Sequence, residues 1–248
     1  MTDTMGVDVS QDWATACVVQ QRFMDHAAPV VDGVSYSARC RQLRALGGDC
    51  YDFSPLPGGQ FALAIGDASG KSLPAALMIA NVQSSLRTAA FFAGDDPATV
   101  IGAVNRQLAA ASPSECFATL FYGVFDPATR TLRYSNAGHN PPLVIRRDGS
   151  VVWLDTTGLP VGLFADSTYD ESTFRLQPGD TVVAYTDGVI EAVSPSGEEW
   201  GVQGIRKAAV ERNAGDAEGL VDAIFASLDE FSQGRLVDDA TVAVLLAH

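Results

Sequence analysis

Several carboxylates in this chain stand at the ends of apolar runs. "GGDCYDF" places Asp49 at the head of one run, and "FALAIGDASG" closes another with Asp67. Between them lies Pro57-Gly58-Gly59, residue types that make turns. If a hairpin turns at Gly58, residues pair when their numbers sum to twice 58, and Asp49 faces Asp67. Directly opposed residues on antiparallel strands have Cβ atoms about 4.5–5.5 Å apart. Two carboxylates that close repel unless positive charge lies between them. "VVAYTDG" delivers Asp187 at the end of a third run, and "VDDATVAVLL" opens a fourth with Asp238 and Asp239. All-oxygen sites suit magnesium, manganese or calcium better than zinc. The remaining donors are sparse: three histidines (His26, His139, His248) and four cysteines without CxxC spacing.

Elements able to carry these residues can be read from pattern and turn chemistry. Residues 11–26 fit a helix, stopped by Pro29. "VSYSARC" alternates, with Val34, Tyr36, Ala38 and Cys40 on one face of a strand. After the hairpin, Ser72 and Pro74 mark the start of a long helix, and Asp96-Pro97 starts another. "CFATLFYGVFD", "TLRYSNAG", "PLVIRR", "VVWLD" and "TVVAYTD" read as strands joined by tight turns. Helices are expected near 200–212 and 216–231, before a last strand, "ATVAVLLA". Strands in tight-turned series imply antiparallel sheets, so the expected fold is α+β: two packed sheets with flanking helices. Residues 1–32 read as a helical lead-in and 33–248 as one domain.

The chain has 248 residues, with 47% hydrophobic and 19% charged, as expected of a globular domain. Its net charge of −14 disfavours nucleic acid or anionic lipid as a partner. The opening "MTDTMGVDVSQDWA" lacks a secretory signal, and no run is long and apolar enough to cross a bilayer. With unpaired cysteines, a cytoplasmic setting without membrane insertion is expected. "GDASGKS" is not a Walker loop: only three residues separate Gly66 from Gly70, and Ile65 stands where the first glycine belongs.

"GGDCYDFSPLPGGQFALAIGDASGKSLPAALMIA" resembles the opening signature of bacterial PPM-type serine/threonine phosphatases, in the branch containing SpoIIE and RsbU. "FATLFYGVFDPATRTLRYSNAGHNPPLVIRRDG", "GLPVGLF", "LQPGDTVVAYTDGVIEA" and "DDATVAVL" follow in the family's order. The resemblance runs from about Gln20 to the C-terminus. It implies an α-β-β-α sandwich with a binuclear Mn²⁺ or Mg²⁺ centre. Asp49, Asp67, the Ala68 carbonyl, Asp187 and Asp238 would be the ligands, with Asp239 in support or in place of Asp238. The implied reaction is hydrolysis of phosphoserine or phosphothreonine by a metal-bridging water, without a protein nucleophile. The implied substrate is a phosphorylated STAS-type anti-anti-sigma protein in a partner-switching pathway.

Two departures bear on mechanism. Eukaryotic-type relatives carry a histidine two residues after the second metal aspartate; here Ser69 stands there. Their phosphate-binding arginine has no match, and Arg39 and Arg41 read as solvated strand residues. Ser72 replaces a common glycine. Lys71 reads as a surface or capping residue able to meet phosphate, and His139 as a turn residue. Trp13, Cys17, Phe23 and Met24 form an apolar stripe suited to a weak homodimer through the N-terminal helix. The rival readings are a phosphatase-fold binding module of weak catalytic power and a two-metal nuclease, the latter opposed by the net charge.

Overall fold

The structure is a computed structural model describing residues 9–24, 30–113, 115–211 and 216–248. Two five-stranded antiparallel sheets stack face to face. One runs β1 (Val34–Arg41), β10 (Ala240–Ala247), β9 (Thr181–Tyr185), β6 (Leu143–Ile145), β7 (Val151–Trp153). The other runs β2 (Asp49–Pro55), β3 (Phe61–Ala68), β4 (Ala118–Asp126), β5 (Thr131–Ala137), β8 (Ser172–Arg175). Helices α2 (Leu73–Ala93) and α3 (Pro97–Ala111) cover the second sheet, and α5 (Gly201–Glu211) and α6 (Ala217–Ser232) cover the first. This is the expected α-β-β-α sandwich.

The period of two within each strand sorts side chains between the layers. In β3, Phe61, Leu63 and Ile65 point to the opposite sheet, while Ala62 and Ala64 lie under α2. Small residues beneath a helix let it approach the sheet, and large ones fill the space between sheets. In β10, Ala243 and Leu245 point inward, and Val242 and Val244 meet α5 and α6. With both faces covered, these strands read as unbroken apolar runs. Each fully buried Leu, Ile, Val or Phe contributes about 1.5–3 kcal/mol, and together they hold the acidic strand ends in place.

The helix starts differ from one another. Asp96 caps α3 as expected, accepting from Thr99 N. Ser72 stands at the start of α2 but its side chain caps nothing; its φ is 63° and ψ −139°, a region natural to glycine. Helix α1 (Val9–Met24) ends at Met24; residues 25–29 of the expected lead-in lie outside the described residues. Part of the expected stripe faces the chain's own domain. Met24 and Gln20 are buried, and the Arg87 guanidinium binds both the Phe23 carbonyl and Asp52. Among the described side chains of this helix, Val18 and Val19 are the large apolar ones left exposed.

Candidate metal centre

One edge of the sandwich gathers the start of β2, the end of β3, the end of β9 and the start of β10. The hairpin register is the expected one: Asp49 pairs with Asp67. Asp49 is 2% exposed, and its Oδ2 accepts from Thr186 Oγ1 at 2.7 Å and Thr241 Oγ1 at 2.6 Å. Thr186 Oγ1 in turn accepts from Thr241 N at 2.9 Å, so β9 and β10 together orient this carboxylate. Asp52, of opposite parity, points the other way and pairs with Arg87 at 2.6 Å.

Asp187 opens a short helix, α4 (Asp187–Ile190), rather than closing β9, because the strand ends two residues earlier at Tyr185. Asp238 and Asp239, adjacent in sequence, are placed differently. Asp239 accepts from Leu43 N and Gly48 N, both at 2.7 Å, one with each oxygen. It is a strut that fixes the Gly47-Gly48 loop. Asp238 Oδ2 meets Lys71 Nζ at 2.5 Å, and its Oδ1 accepts from Asp239 N at 2.9 Å.

The glycines of "GGD" and "TDG" follow from this packing. A Cβ on Gly47 would lie 2.4 Å from Asp239 Oδ2, and one on Gly188 would lie 2.0 Å from the Asp239 carbonyl oxygen. A Cβ on Gly48 would come within 3.1 Å of the Ala68 carbonyl oxygen and 3.6 Å of Asp67 Oδ1. The three acidic motifs are thus packed closely against one another at these glycines, most tightly at Gly47 and Gly188.

Electrostatics agrees with the geometry. Burial, then repulsion from Asp187, Asp238 and Asp239, pushes the Asp67 carboxyl up to about 7. Asp49 is raised by burial and then by Asp67, with Thr241 and Thr186 opposing. Asp187 is raised by burial and by Asp238. Buried anions that repel one another favour a cation among them. Among the described residues no three His, Cys, Asp or Glu side chains close around one point at metal-ligating distance. Asp238 is paired with Lys71. The donor chemistry, oxygen only and strongly anionic, fits hard divalent cations.

Other expected residues fall into place. Ser69 N donates to the Phe117 carbonyl at 2.8 Å and its Oγ accepts from Phe117 N at 3.0 Å, latching the loop after β3. Arg39 and Arg41 pair with Asp222 and Asp229 at 2.6 and 2.7 Å and lie over the Phe225 ring, tying β1 to α6. Both are part-exposed strand residues paired with carboxylates of α6 and stand outside the acidic edge. Cys50 is buried under the helices, as expected of a packing residue. Arg44 was not legible as a site residue. It is exposed on the loop before Asp49; Asp238 raises the proton affinity of Lys71, and the Arg44 charge is a smaller opposing influence. A basic residue five positions before Asp49 was the available signal. Gln20 was also missed: its Nε2 donates to the Gly47 carbonyl at 2.7 Å and its Oε1 accepts from Gly47 N at 3.1 Å. Helix α1 therefore grips the same loop that Asp239 holds.

A sandwich of this topology, with acidic strand ends meeting at one edge, is the architecture of PPM-type phosphatase domains. The model for Stage II sporulation protein E (SpoIIE) matches residues 57–248, and the chain belongs to that family. It is 27% identical over 241 residues to phosphoserine phosphatase RsbU of Bacillus subtilis, covering 96% of this chain and 70% of RsbU. It spans between 25% and 41% of the length of other curated relatives. Among solved structures it superposes on the SiaA-PP2C domain of Pseudomonas aeruginosa with a TM-score of 0.82 at 18% identity, covering 97% of each chain. The catalytic domain of the serine/threonine phosphatase PstP, solved in complex with two manganese ions, matches with a TM-score of 0.64 at 16% identity, covering 86% of this chain and 97% of that one.

Proposed function

We propose that this chain is a metal-dependent protein serine/threonine phosphatase. Asp49, Asp67, Asp187 and Asp238, with the Ala68 carbonyl, would hold a pair of Mn²⁺ or Mg²⁺ ions. The observation that carries the reading is the Asp49–Asp67 pair, set face to face by the hairpin register and left with raised carboxyl pKa values. When bound, the cations supply an acidified water and positive charge for the phosphoryl oxygens.

The chain's own residues do the positioning. Thr186 and Thr241 fix the Asp49 carboxylate, and Asp239 pins the loop that carries it. Asp239, each of whose oxygens accepts one backbone N–H and keeps a further lone pair, would support Asp238 or act in its place. Lys71 and Arg44, exposed at the rim, receive the substrate phosphate. A serine hydroxyl is too weakly acidic to replace the histidine of eukaryotic-type relatives, so at Ser69, whose Oγ accepts from Phe117 N, the leaving alkoxide finds no acid and would take its proton from water.

The substrate we infer is phosphoserine or phosphothreonine on a folded regulatory protein of the STAS type, within a partner-switching pathway. Support comes from the likeness to RsbU and from the open edge, which admits a side-chain phosphate on a protein surface. A cytoplasmic location accords with it; no described helix is long and apolar enough to cross a membrane. The domain is taken as 33–248 with residues 1–32 as its lead-in. The test compares kcat/KM on a phosphorylated STAS protein with that on the isolated phosphopeptide, in saturating Mn²⁺. At least tenfold preference for the folded protein is expected, since remote contacts help position the site. Equal values overturn the substrate assignment, and no turnover of either leaves a binding module.

A further inference from the structure

Three segments frame the acidic edge: the loop before β2, the start of α2, and the residues that lead into β10. Each presents large apolar side chains to solvent. Leu43 is 38% exposed, Leu73 41%, Leu77 67% and Val237 39%. Their backbones are held beside the carboxylates. Leu43 N donates to Asp239 Oδ1 at 2.7 Å, and Val237 directly precedes Asp238. Leu73 lies two residues after Lys71, whose Nζ meets Asp238 Oδ2 at 2.5 Å. Leu77 stands one turn further along α2, and side chains four apart on a helix are neighbours. The loop and the helix touch, since a Cβ on Gly48 would lie 3.0 Å from the Ala75 Cβ.

Helix α2 seats itself on the second sheet through Ala76, Ile79, Val82 and Leu86, all buried, and leaves Leu73 and Leu77 outside that contact. Apolar residues scattered singly over a surface are ordinary, but a group gathered round a polar centre marks a site of protein contact. The occupant follows from what this group surrounds. A phosphoserine that reaches the acidic edge brings its own protein surface down on the adjoining residues. Its phosphate is matched by Lys71 and Arg44, which stand beside Leu73 and Leu43 in sequence, so the flanking surface of the partner meets leucine and valine. We infer that Leu43, Leu73, Leu77 and Val237 are the docking surface for the phosphoprotein substrate, and that they recognise an uncharged, apolar patch beside its phosphorylated residue. The inference rests on the phosphatase reading and adds to it the contacts that a folded substrate makes and a short peptide lacks. Hydrogen bonds and close packing already fix these backbones, so little ordering is left to oppose binding.

The experiment uses the full chain in saturating Mn²⁺, with a phosphorylated STAS protein and with p-nitrophenyl phosphate, which is too small to span these residues. The variants are Leu73→Ser/Leu77→Ser and Leu43→Ser/Val237→Thr. Phe91→Ser/Phe92→Ser is the comparison, because those rings are 81% and 80% exposed. They lie about 20 Å along α2 from Leu77, at about 1.5 Å per residue. Each variant is checked for native near-UV circular dichroism. Truncating an energetically dominant residue of an interface costs about tenfold or more in affinity. In each of the first two variants kcat/KM on the phosphoprotein should therefore fall at least about tenfold further than on p-nitrophenyl phosphate. In the third the two substrates should change alike. Equal losses on both substrates, no loss on the phosphoprotein, or an equal selective loss in Phe91→Ser/Phe92→Ser overturn the inference. So does loss of a concentration-dependent mass by light scattering with kcat/KM intact, which makes the occupant a second copy. Wild type that turns over p-nitrophenyl phosphate but not the phosphoprotein overturns the docking surface and leaves the phosphatase reading standing. Wild type that turns over neither defeats that reading, and the inference with it.

Discussion

Replacing Asp67 by Asn should stabilise the chelated protein while disabling it. In the folded chain the Asp67 carboxyl rises from 3.8 to about 7, first through burial and then through its acidic neighbours. The folded state therefore holds a proton that the unfolded chain releases between those values. The associated stability is fully present below about pH 4 and is lost as pH rises through about 7. A rise of about three units at 1.36 kcal/mol each sets a ceiling of about 4 kcal/mol. Because Asp49 and Asp67 titrate together, about half of this, about 2 kcal/mol, is a working figure for one of them. An amide at position 67 carries no charge, so at pH 7.5 in chelator Asp67→Asn should melt about 4–8 °C above wild type. Saturating Mn²⁺ should reverse the order. At a hundred times its dissociation constant a ligand adds about 2.7 kcal/mol to the wild type, whereas the variant has lost a ligand charge. Differential scanning calorimetry from pH 4 to 8, with chelator and with Mn²⁺, reads both effects. An Asn variant equal to or less stable than wild type in chelator at pH 7.5 refutes the argument that uncompensated charge is gathered here.

Other expectations follow from single residues. Ser72→Gly relieves a backbone conformation that costs a side-chain-bearing residue about 1–3 kcal/mol, partly offset by glycine's looser unfolded chain. The urea midpoint should rise by the equivalent of about 1 kcal/mol without a change in slope. Gly188→Ala drives a Cβ to 2.0 Å from the Asp239 carbonyl oxygen and should abolish both turnover and the cooperative thermal transition, read by activity and calorimetry. Lys71→Met should raise KM for a phosphoprotein severalfold while tightening Mn²⁺ binding, since the ammonium no longer holds Asp238; unchanged values for both remove it from the site. Val18→Asp with Val19→Asp should reduce the concentration-dependent mass seen by light scattering if helix α1 pairs two copies through its exposed side, and an unchanged mass excludes that face.

What could be read in advance depended on periodicity. The Asp49–Asp67 register follows from counting across one turn, and Asp52 is set aside by the same count. Layering follows from apolar runs long enough to show a period. β8, whose "STFR" lacks a clear apolar run, and α4, a single turn, were not anticipated, and Asp187 was placed on a strand end. Arg44 sits on an exposed loop, where no pattern distinguishes a rim cation from any surface arginine. Nothing in "VDDAT" separates Asp238 from Asp239; only the loop packed against them does. The contact of His139 with Thr119, 20 residues earlier on another strand, is likewise not announced by any pattern. Ser72 reads as a helix cap by residue type, yet the turn after β3 imposes a positive φ that takes its side chain out of capping position.

The account's central claim is that these carboxylates hold cations that hydrolyse a phosphoester. The most direct measurement is release of inorganic phosphate from a phosphoserine protein by wild type and by Asp187→Asn, each with saturating Mn²⁺ and with chelator. The account predicts turnover for wild type in Mn²⁺ alone, and at least a hundredfold loss in Asp187→Asn with the fold intact by circular dichroism. Turnover that persists in chelator, or survives in Asp187→Asn at near the wild-type rate, contradicts it.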